Sequence, residues 1–317
     1  MMRCRGLLLA VCCALVALVV SPRAAVAREY VAIFNFGDSL ADAGNLCVDG
    51  IPDYLVTARP PYGQTYFGYP TGRVSDGRVV IDFIGAGSAA AAPVQGPERD
   101  VPPRGANFAI TGATSLDTAF FHEHGLGHAV WNSDSLHAQI KWFQDMKPAI
   151  CNNSTQECRD LFRRSLFIVG EFGGNDYAAP LFAFRPLEEA HAMIPHVVDS
   201  IGRGVEKLIG EGAVDLVVPG VLPTGCFPVV PVHLLPEAEP GERKIAELRK
   251  KHPGVRIVYA DYYTPAVQFV LHAEKWGEFI LLSVFARVSD RCSSSAMAIG
   301  EHDLILPPVR ITTTSVG

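Results

Sequence analysis

The chain lacks the sequence signatures of several large enzyme classes. It has no Walker A motif and no Gly-x-Ser-x-Gly element, which disfavours P-loop nucleotide binding and the α/β-hydrolase fold. Gly202-Arg203-Gly204 lacks the third glycine of a dinucleotide fingerprint and lies in a segment whose apolar residues have helical spacing. We therefore expect no cofactor.

The chain also lacks concentrated positive charge. It has 27 Lys and Arg residues against 33 Asp and Glu residues, which gives a formal net charge of −6. Basic residues gather at 244–251, but Glu247 interrupts them, and this pattern is typical of a solvated helix face. Because phosphate binding requires clustered Lys and Arg, we expect no nucleic acid partner.

A metal-binding signature is missing as well. His122-Glu123-His124 and His128 are close in sequence, but they do not form a His-Glu-x-x-His helix motif. Gly125 and Gly127 lie among them. This composition favours a solvated loop over a metal site, and we expect no metal.

Long apolar runs are absent beyond the N-terminal segment. Arg3 and Arg5 precede the apolar run 7–20, and Ala25-Val26-Ala27 has the small-x-small pattern of a cleavage site. A membrane anchor is the alternative, but a span needs about 20 apolar residues and this run is shorter. The pattern predicts a signal peptide at 1–27 and a secreted product with no membrane span.

Cysteine usage fits an oxidising compartment. Three of the eight cysteines lie in the predicted signal peptide, and five remain: Cys47, Cys151, Cys158, Cys226 and Cys292. Cys151 and Cys158 bracket a short polar segment, so they are the pair most suited to a disulfide. Asn152 and Asn153 each begin a glycosylation sequon, which predicts an exposed turn that carries a glycan.

Strand-like and helix-like segments alternate along the chain. Apolar, β-branched runs occur at 30–36, 165–170, 216–218 and 256–259, and helical spacing occurs at 135–146, 187–209 and 242–251. This alternation predicts a three-layer α/β/α domain with a mostly parallel, flavodoxin-like sheet. Residues 289–317 show neither period, and we expect 277–317 to be a divergent, poorly ordered tail.

Ser39 follows the first predicted strand directly. The apolar run Tyr30 to Phe36 stops at Gly37-Asp38-Ser39, which puts a hydroxyl at the carboxyl edge of the sheet. In open α/β sheets, ligands bind at that edge. Ser39 is therefore a candidate nucleophile, although a serine in this place can also be the N-cap of the next helix.

Three polar, Gly-containing segments occur in order along the chain. They are Phe36-Gly37-Asp38-Ser39-Leu40 with Asp42-x-Gly44-Asn45, Gly105-Ala106-Asn107-Phe108-Ala109-Ile110-Thr111-Gly112-Ala113, and Gly170-Glu171-Phe172-Gly173-Gly174-Asn175-Asp176-Tyr177. Together they resemble the blocks of the plant GDSL esterase/lipase family within the SGNH hydrolases. The resemblance extends over about residues 30 to 276, and we expect a domain at 28–276. It implies a secreted carboxylic ester hydrolase of the apoplast or cell wall, with a small-molecule or wall-bound acyl ester as substrate.

The resemblance also implies roles for individual residues. Ser39 would attack the ester, and three donors would form the oxyanion hole: the backbone N–H of Ser39, the backbone N–H of Gly112 and the side-chain amide of Asn175. Gly112 suits such a role because a residue without Cβ lets substrate approach the backbone. Asn175 in a Gly-rich loop can alternatively serve only to tolerate a left-handed turn.

The general base of the family has no counterpart in the expected place. The family carries an Asp-x-x-His pair near its C-terminus, and none follows Asn175. Asp134 to His137 matches the letters, but it lies between the second and third blocks, where it opens a predicted helix. His302 and Asp303 have the right residue types, yet adjacent residues in an aperiodic segment do not make a fixed pair. His233, His272 and His302 are the histidines that could weakly replace the missing base.

Three alternatives to an active esterase remain open. The chain can be an inactive relative that binds an ester ligand or a partner, an acyltransferase on the same scaffold, or the product of an altered splice or reading frame. The last is suggested by the short Pro-rich stretch 231–242 and by the tail after Trp276, neither of which resembles the family. The ester substrate and the oligomeric state do not follow from the sequence.

Overall fold

The computed structural model describes residues 30–53, 55–85, 105–152, 154–223 and 238–272. The predicted signal peptide at 1–27 and the tail at 277–317 lie outside these ranges. So do single residues of the sequence predictions, namely Asn153, Cys226, His233, Cys292, His302 and Asp303.

Within these ranges, five parallel strands form one sheet in the order β2-β1-β3-β4-β5. The strands are β1 (Ala32–Phe36), β2 (Gly105–Asn107), β3 (Ser165–Val169), β4 (Asp215–Pro219) and β5 (Arg256–Ala260). All five residues of β1 are buried, as expected for a strand inside a parallel sheet that is covered on both faces. The predicted flavodoxin-like parallel sheet is confirmed.

Ten α-helices connect and cover these strands in the described part of the chain. They are α1 (Asn45–Asp49), α2 (Val80–Ile84), α3 (Thr118–Glu123), α4 (Leu136–Ile150), α5 (Thr155–Phe162), α6 (Gly174–Phe182), α7 (Leu187–Ala192), α8 (Ile194–Gly210), α9 (Ala238–Lys251) and α10 (Tyr263–Leu271). A 3₁₀ turn occupies Gly127–Ala129.

The larger core lies on the face of the sheet that α4, α5, α8 and α9 cover. The ring of Phe34 in β1 packs within 5.0 to 5.5 Å of Phe143, Phe162 and Phe167, measured between ring centroids. Gly204 lets α8 approach α4 closely, because a Cβ there would lie 2.6 Å from Leu136 Cδ2. A smaller core on the opposite face joins β1 and β3 to α2 through Ile33, Leu166 and Ile81.

Local differences from the sequence predictions have physical causes. The single helix predicted at 187–209 is two helices, α7 and α8, which meet at Met193 just before Pro195 in the first turn of α8. Strand β2 was not predicted, because its three residues are Gly, Ala and Asn and carry no β-branched signal. His122 and His124 lie at the end of α3 rather than in a loop, but both are exposed as expected.

Cys151 and Cys158 are joined by a disulfide across the start of α5, with their Cα atoms 5.1 Å apart. Asn152 lies between them and is exposed, with a φ of 50°. Within the described ranges, no helix is both long enough and apolar enough to cross a membrane.

Candidate active site

The three sequence blocks meet at the carboxyl edge of the sheet. β1 ends at Phe36, β2 at Asn107 and β3 at Val169, and the three strands are parallel neighbours. The residues that follow each strand therefore project from the same edge. Ser39, Gly112 and Asn175 each belong to one of these three segments.

Ser39 lies in a tight turn after β1. The backbone oxygen of Asp38 accepts hydrogen bonds from the N–H groups of Ala41 (3.2 Å) and Asp42 (3.0 Å), and Asp38 Oδ1 accepts from the N–H of Leu40 (3.0 Å). Ser39 itself is partly exposed. Within the described residues its hydroxyl has no hydrogen-bond partner, and the N-cap of the next helix is Gly44. Ser39 is therefore not the N-cap of the helix that follows it.

The side chain of Asn175 bridges the other two segments. Asn175 is the second residue of α6, and its Nδ2 donates to the backbone oxygen of Ala113 at 2.8 Å and to Asp38 Oδ2 at 3.3 Å. One amide thus contacts the residue before Ser39 and the residue after Gly112. The structure brings these three predicted site residues together.

Gly112 occupies a position that other residues would not tolerate. Its φ is +87°, and a Cβ at this residue would lie 2.2 Å from Trp131 Cζ2 and 2.8 Å from Asn132 Nδ2. The Asn132 amide donates to the backbone oxygen of Thr111 at 2.7 Å, which fixes the strap 131–132 over the glycine. Trp131 remains 39% exposed, so the indole next to Gly112 is accessible to solvent.

Asp42 ties the serine turn to the second segment. Its carboxylate accepts from the N–H groups of Gly44 and Asn45 at 2.7 Å each and of Leu46 at 3.4 Å. Its Oδ2 also accepts from the N–H and the hydroxyl of Thr111, both at 2.8 Å. A fully buried carboxylate with this many donors is stable because each lone pair is satisfied.

The carboxylate of Asp176 links the third segment to the loop that follows the second segment. It accepts from the N–H (2.8 Å) and hydroxyl (3.0 Å) of Ser115 and from the N–H of Leu116 (3.0 Å). Burial raises the pKa of Asp176 to about 6, although the donors from Ser115 and Leu116 act in the opposite direction.

Buried amides add a second set of bridges. Asn45 Nδ2 donates to the backbone oxygens of Asn107 (2.8 Å) and Ala109 (2.7 Å), and Asn107 Nδ2 donates to that of Ala41 (2.8 Å). Asn35 Nδ2 donates to Asn107 Oδ1 at 2.8 Å. These bonds hold the segments after β1 and β2 at a fixed separation.

Gln139 in α4 is a site neighbour that sequence reasoning missed. Its Oε1 accepts from the N–H of Gly37 at 3.0 Å, and its Nε2 donates to the backbone oxygen of Gly37 at 2.9 Å. The available signal was a polar residue on the apolar face that Leu136, Ile140 and Phe143 define.

Glu171 is a second missed residue, and its environment is unusual. It is 7% exposed and has a φ of 47°, a left-handed conformation that glutamate rarely adopts. Its Oε2 lies 3.4 Å from where a Cβ of Gly37 would be, and no described residue donates a hydrogen bond to its carboxylate. Burial raises the pKa of Glu171 to about 7.

Asp38 shares this environment. Burial raises the pKa of Asp38 well above its ordinary value, and the negative charges of Glu171, Asp176 and Asp42 raise it further, against the lowering effect of the Leu40 N–H. The Tyr262 hydroxyl also has its pKa raised by burial and by the charge of Glu171. The edge around Ser39 is thus rich in buried carboxyl groups.

No described histidine hydrogen-bonds to Ser39. His137 instead contacts Ser200 Oγ (3.0 Å) and Lys207 Nζ (3.2 Å) between α4 and α8, and Ser135 is the N-cap of α4. His272 is the C-cap of α10. Among the residues that the structure describes, no group of three His, Cys, Asp or Glu side chains has an arrangement that could hold a metal ion.

Comparisons with known proteins agree with this arrangement. The model of the GDSL-like lipase/acylhydrolase family matches residues 33–278. A GDSL esterase/lipase of Arabidopsis thaliana is 40% identical over 285 residues, covering 78% of this chain and 74% of the relative. A sinapine esterase of Brassica napus is 35% identical over 275 residues, covering 79% of this chain and 70% of the relative.

The fold and these matches define a hydrolase of the GDSL type. The chain belongs to the GDSL-like lipase/acylhydrolase family, and its matched relatives are plant GDSL esterases/lipases, whose substrates are esters.

Proposed function

We propose that this chain hydrolyses carboxylic esters with Ser39 as the nucleophile. Ser39 Oγ attacks the carbonyl carbon, the ester C–O bond breaks, and the proton lost by Ser39 ends on the departing alcohol. Water then hydrolyses the acyl-serine to a carboxylic acid and free Ser39. The N–H groups of Ser39 and Gly112 and the amide of Asn175 stabilise the oxyanion. The observation that carries the proposal is the Asn175 amide, which contacts the residue beside Ser39 and the residue beside Gly112.

The hydrogen bonds of Asn175 suit such a donor. The bond to Ala113 is short at 2.8 Å and fixes the side chain, whereas the contact with Asp38 is long at 3.3 Å. A developing oxyanion is a better acceptor than a distant carboxyl oxygen, so it would replace the longer contact. Donors fixed in advance at such a site lower the barrier by about 3 to 4 kcal/mol each.

Proton transfer from Ser39 limits the expected rate. Without a base, serine at neutral pH is a neutral alcohol, and enzymes that lose a triad member keep about 10³- to 10⁴-fold catalysis over water. We therefore propose a slow esterase unless a histidine outside the described residues, such as His302 beside Asp303, approaches Ser39. The reaction uses no metal and no cofactor.

We further propose that the protein is exported through the secretory pathway. Support comes from the cleavable pattern at 1–27 and from the Cys151–Cys158 disulfide, which persists in oxidising compartments. The exposed Asn152 is available for glycosylation. The substrate we propose is a small-molecule or wall-bound acyl ester, a class that includes the ester for which the Brassica napus relative is named.

The test is hydrolysis of p-nitrophenyl acetate by the wild type, Ser39→Ala and the matched control Ser133→Ala, whose serine is exposed. We expect the Ser39→Ala rate to fall to that of buffer and the control to equal the wild type. Equal rates in the wild type and Ser39→Ala would overturn the esterase proposal and favour an inactive binding protein. Transfer to added alcohol in preference to water would favour an acyltransferase, and loss of activity in His302→Ala would assign the base.

A further inference from the structure

Gln139 holds the backbone of Gly37 from both sides. The amide of this side chain accepts from the N–H of Gly37 at 3.0 Å and donates to its backbone oxygen at 2.9 Å, although 102 residues separate the two. Gln139 is 0% exposed, so neither bond competes with water. The paired bonds fix the position and the rotation of this peptide segment together.

Gly37 connects β1 to the turn that contains Ser39. It is the first residue after β1 and lies two residues before Ser39. A Cβ at Gly37 would lie 3.1 Å from the backbone oxygen of Gly170 and 3.3 Å from Ala41 Cβ, so the segment is confined on that side. The N–H of Ile110 also donates to the Gly37 oxygen at 3.2 Å. Small shifts of Gly37 would therefore move Ser39 relative to Gly112.

The amide that holds Gly37 is itself anchored. Gln139 Nε2 also donates to the backbone oxygen of Asp134 at 3.2 Å, just before α4 begins. Its neighbours Ile140 and Phe143 are buried in the core against β1. The side chain of Gln139 thus fixes the distance between helix α4 and the turn that contains Ser39.

We propose that Gln139 is a positioning residue for Ser39, which sets the place of the Ser39 hydroxyl and N–H by holding Gly37 through paired hydrogen bonds. This inference rests on the proposed function for its effect on rate. Misplacement of a reacting group by about 1 Å can cost about 100-fold in rate.

The first test compares Gln139→Met with Gln144→Met. Methionine keeps the volume of glutamine and removes both bonds to Gly37. Gln144 lies on the same helix, but its amide binds Glu211 at 2.7 Å, away from the site. For Gln139→Met we expect kcat to fall about 100-fold with KM within about 2-fold, because ester binding does not need the bonds. Gln144→Met should keep the kcat of the wild type. Equal kcat in the two variants would overturn the proposal.

Gln139→Glu provides a rescue that a merely structural role would not show. A protonated glutamate reproduces both bonds to Gly37, because its carbonyl accepts and its O–H donates, whereas an ionised one repels the Gly37 oxygen. The rate of Gln139→Glu relative to wild type should therefore rise as pH falls from 8 to 5. Burial raises the pKa values of nearby Asp38 and Glu171, and both groups are present in the wild type and in the variant. The ratio of the two rates therefore reports mainly the group at position 139. A ratio independent of pH would contradict the inference.

A second measurement does not depend on activity. Amide hydrogen exchange in Gln139→Met should accelerate at Gly37 by about 10-fold or more, while the amides of β3 keep their protection. Uniform acceleration across the sheet would show that Gln139 only stabilises the fold. If the wild type has no Ser39-dependent hydrolysis, the proposed function fails, and the exchange result alone decides whether Gln139 fixes the turn.

Discussion

The two sides of the carboxyl edge of the sheet are built in different ways. Beyond β2, β1 and β3, the edge is held by hydrogen bonds between buried side chains and backbone groups, centred on Asp42, Asn107 and Gln139. Beyond β4, the structure has an apolar cavity of about 50 Å³ lined by Tyr177, Val197, Val221, Ile245 and their neighbours. Hydrogen bonds are directional and therefore fix the positions of individual atoms, whereas apolar packing mainly requires that the total side-chain volume be kept.

This difference predicts different responses to substitution. On the hydrogen-bonded side, removal of one donor should change the rate of reaction more than the stability of the fold. On the apolar side, loss of packing volume should lower stability and leave the chemistry of the folded molecules intact. Substitutions on the two sides test this separation.

Asn175→Asp should strongly lower the rate of ester hydrolysis. The variant keeps the shape of the side chain but removes its N–H donors and adds a negative charge that faces Asp38 and a developing oxyanion. We expect kcat/KM for p-nitrophenyl acetate to fall by about 10²- to 10³-fold, measured by steady-state kinetics. Asn152→Asp, at an exposed turn, is the control. Wild-type kinetics in Asn175→Asp would remove this amide from the mechanism.

Ile245→Ala should act on stability instead. Ile245 is 3% exposed and lines the apolar cavity, so truncation would enlarge a space already poorly filled. We expect the free energy of unfolding in urea to fall by about 2 to 5 kcal/mol. The rate per folded molecule should stay within about 2-fold of the wild type. A large loss of kcat in fully folded Ile245→Ala would mean that packing on the apolar side also determines the rate of reaction.

Glu171→Gln should stabilise the protein in a pH-dependent manner. Burial raises the pKa of Glu171 from 4.5 to about 7, so the folded state keeps a proton that the unfolded state loses. Wild-type stability should therefore decline as pH rises from about 4.5 to 7, and the variant lacks this decline.

The expected gain from Glu171→Gln is about 3 kcal/mol at most at pH 8 and close to zero at pH 4. Urea unfolding at pH 4, 6 and 8 measures it, with Glu188→Gln at an exposed site of α7 as the control. A gain that is the same at each pH would show that Glu171 does not titrate as its burial requires.

Much of the fold follows from local sequence patterns. The strands β1, β3, β4 and β5 were recognisable because each is a run of apolar residues, and the site followed because parallel strands end at one edge. Gln139 and Glu171 were not recognisable in this way. The partner of Gln139 is 102 residues distant, and Glu171 is buried beside Gly37, which follows a different strand.

The helices α7, α8 and α9 show a related limit of prediction from sequence. The break between α7 and α8 had a local signal in Pro195, but the apolar spacing continues through it and predicts one helix. The cavity beyond β4 depends on how α8 and α9 pack on the sheet, which no single segment encodes. The missed helix break thus had a local signal, whereas the cavity depends on long-range packing.

The central claim is that Ser39 is a nucleophile held beside an oxyanion-binding site. The most direct measurement is reaction of the full chain with a fluorophosphonate, followed by mass spectrometry of the digested protein. We predict one phosphonyl adduct, on the peptide that contains Ser39, with much slower formation in Asn175→Asp. An unmodified Ser39 after prolonged reaction, or labelling that Asn175→Asp leaves unchanged, would contradict the claim.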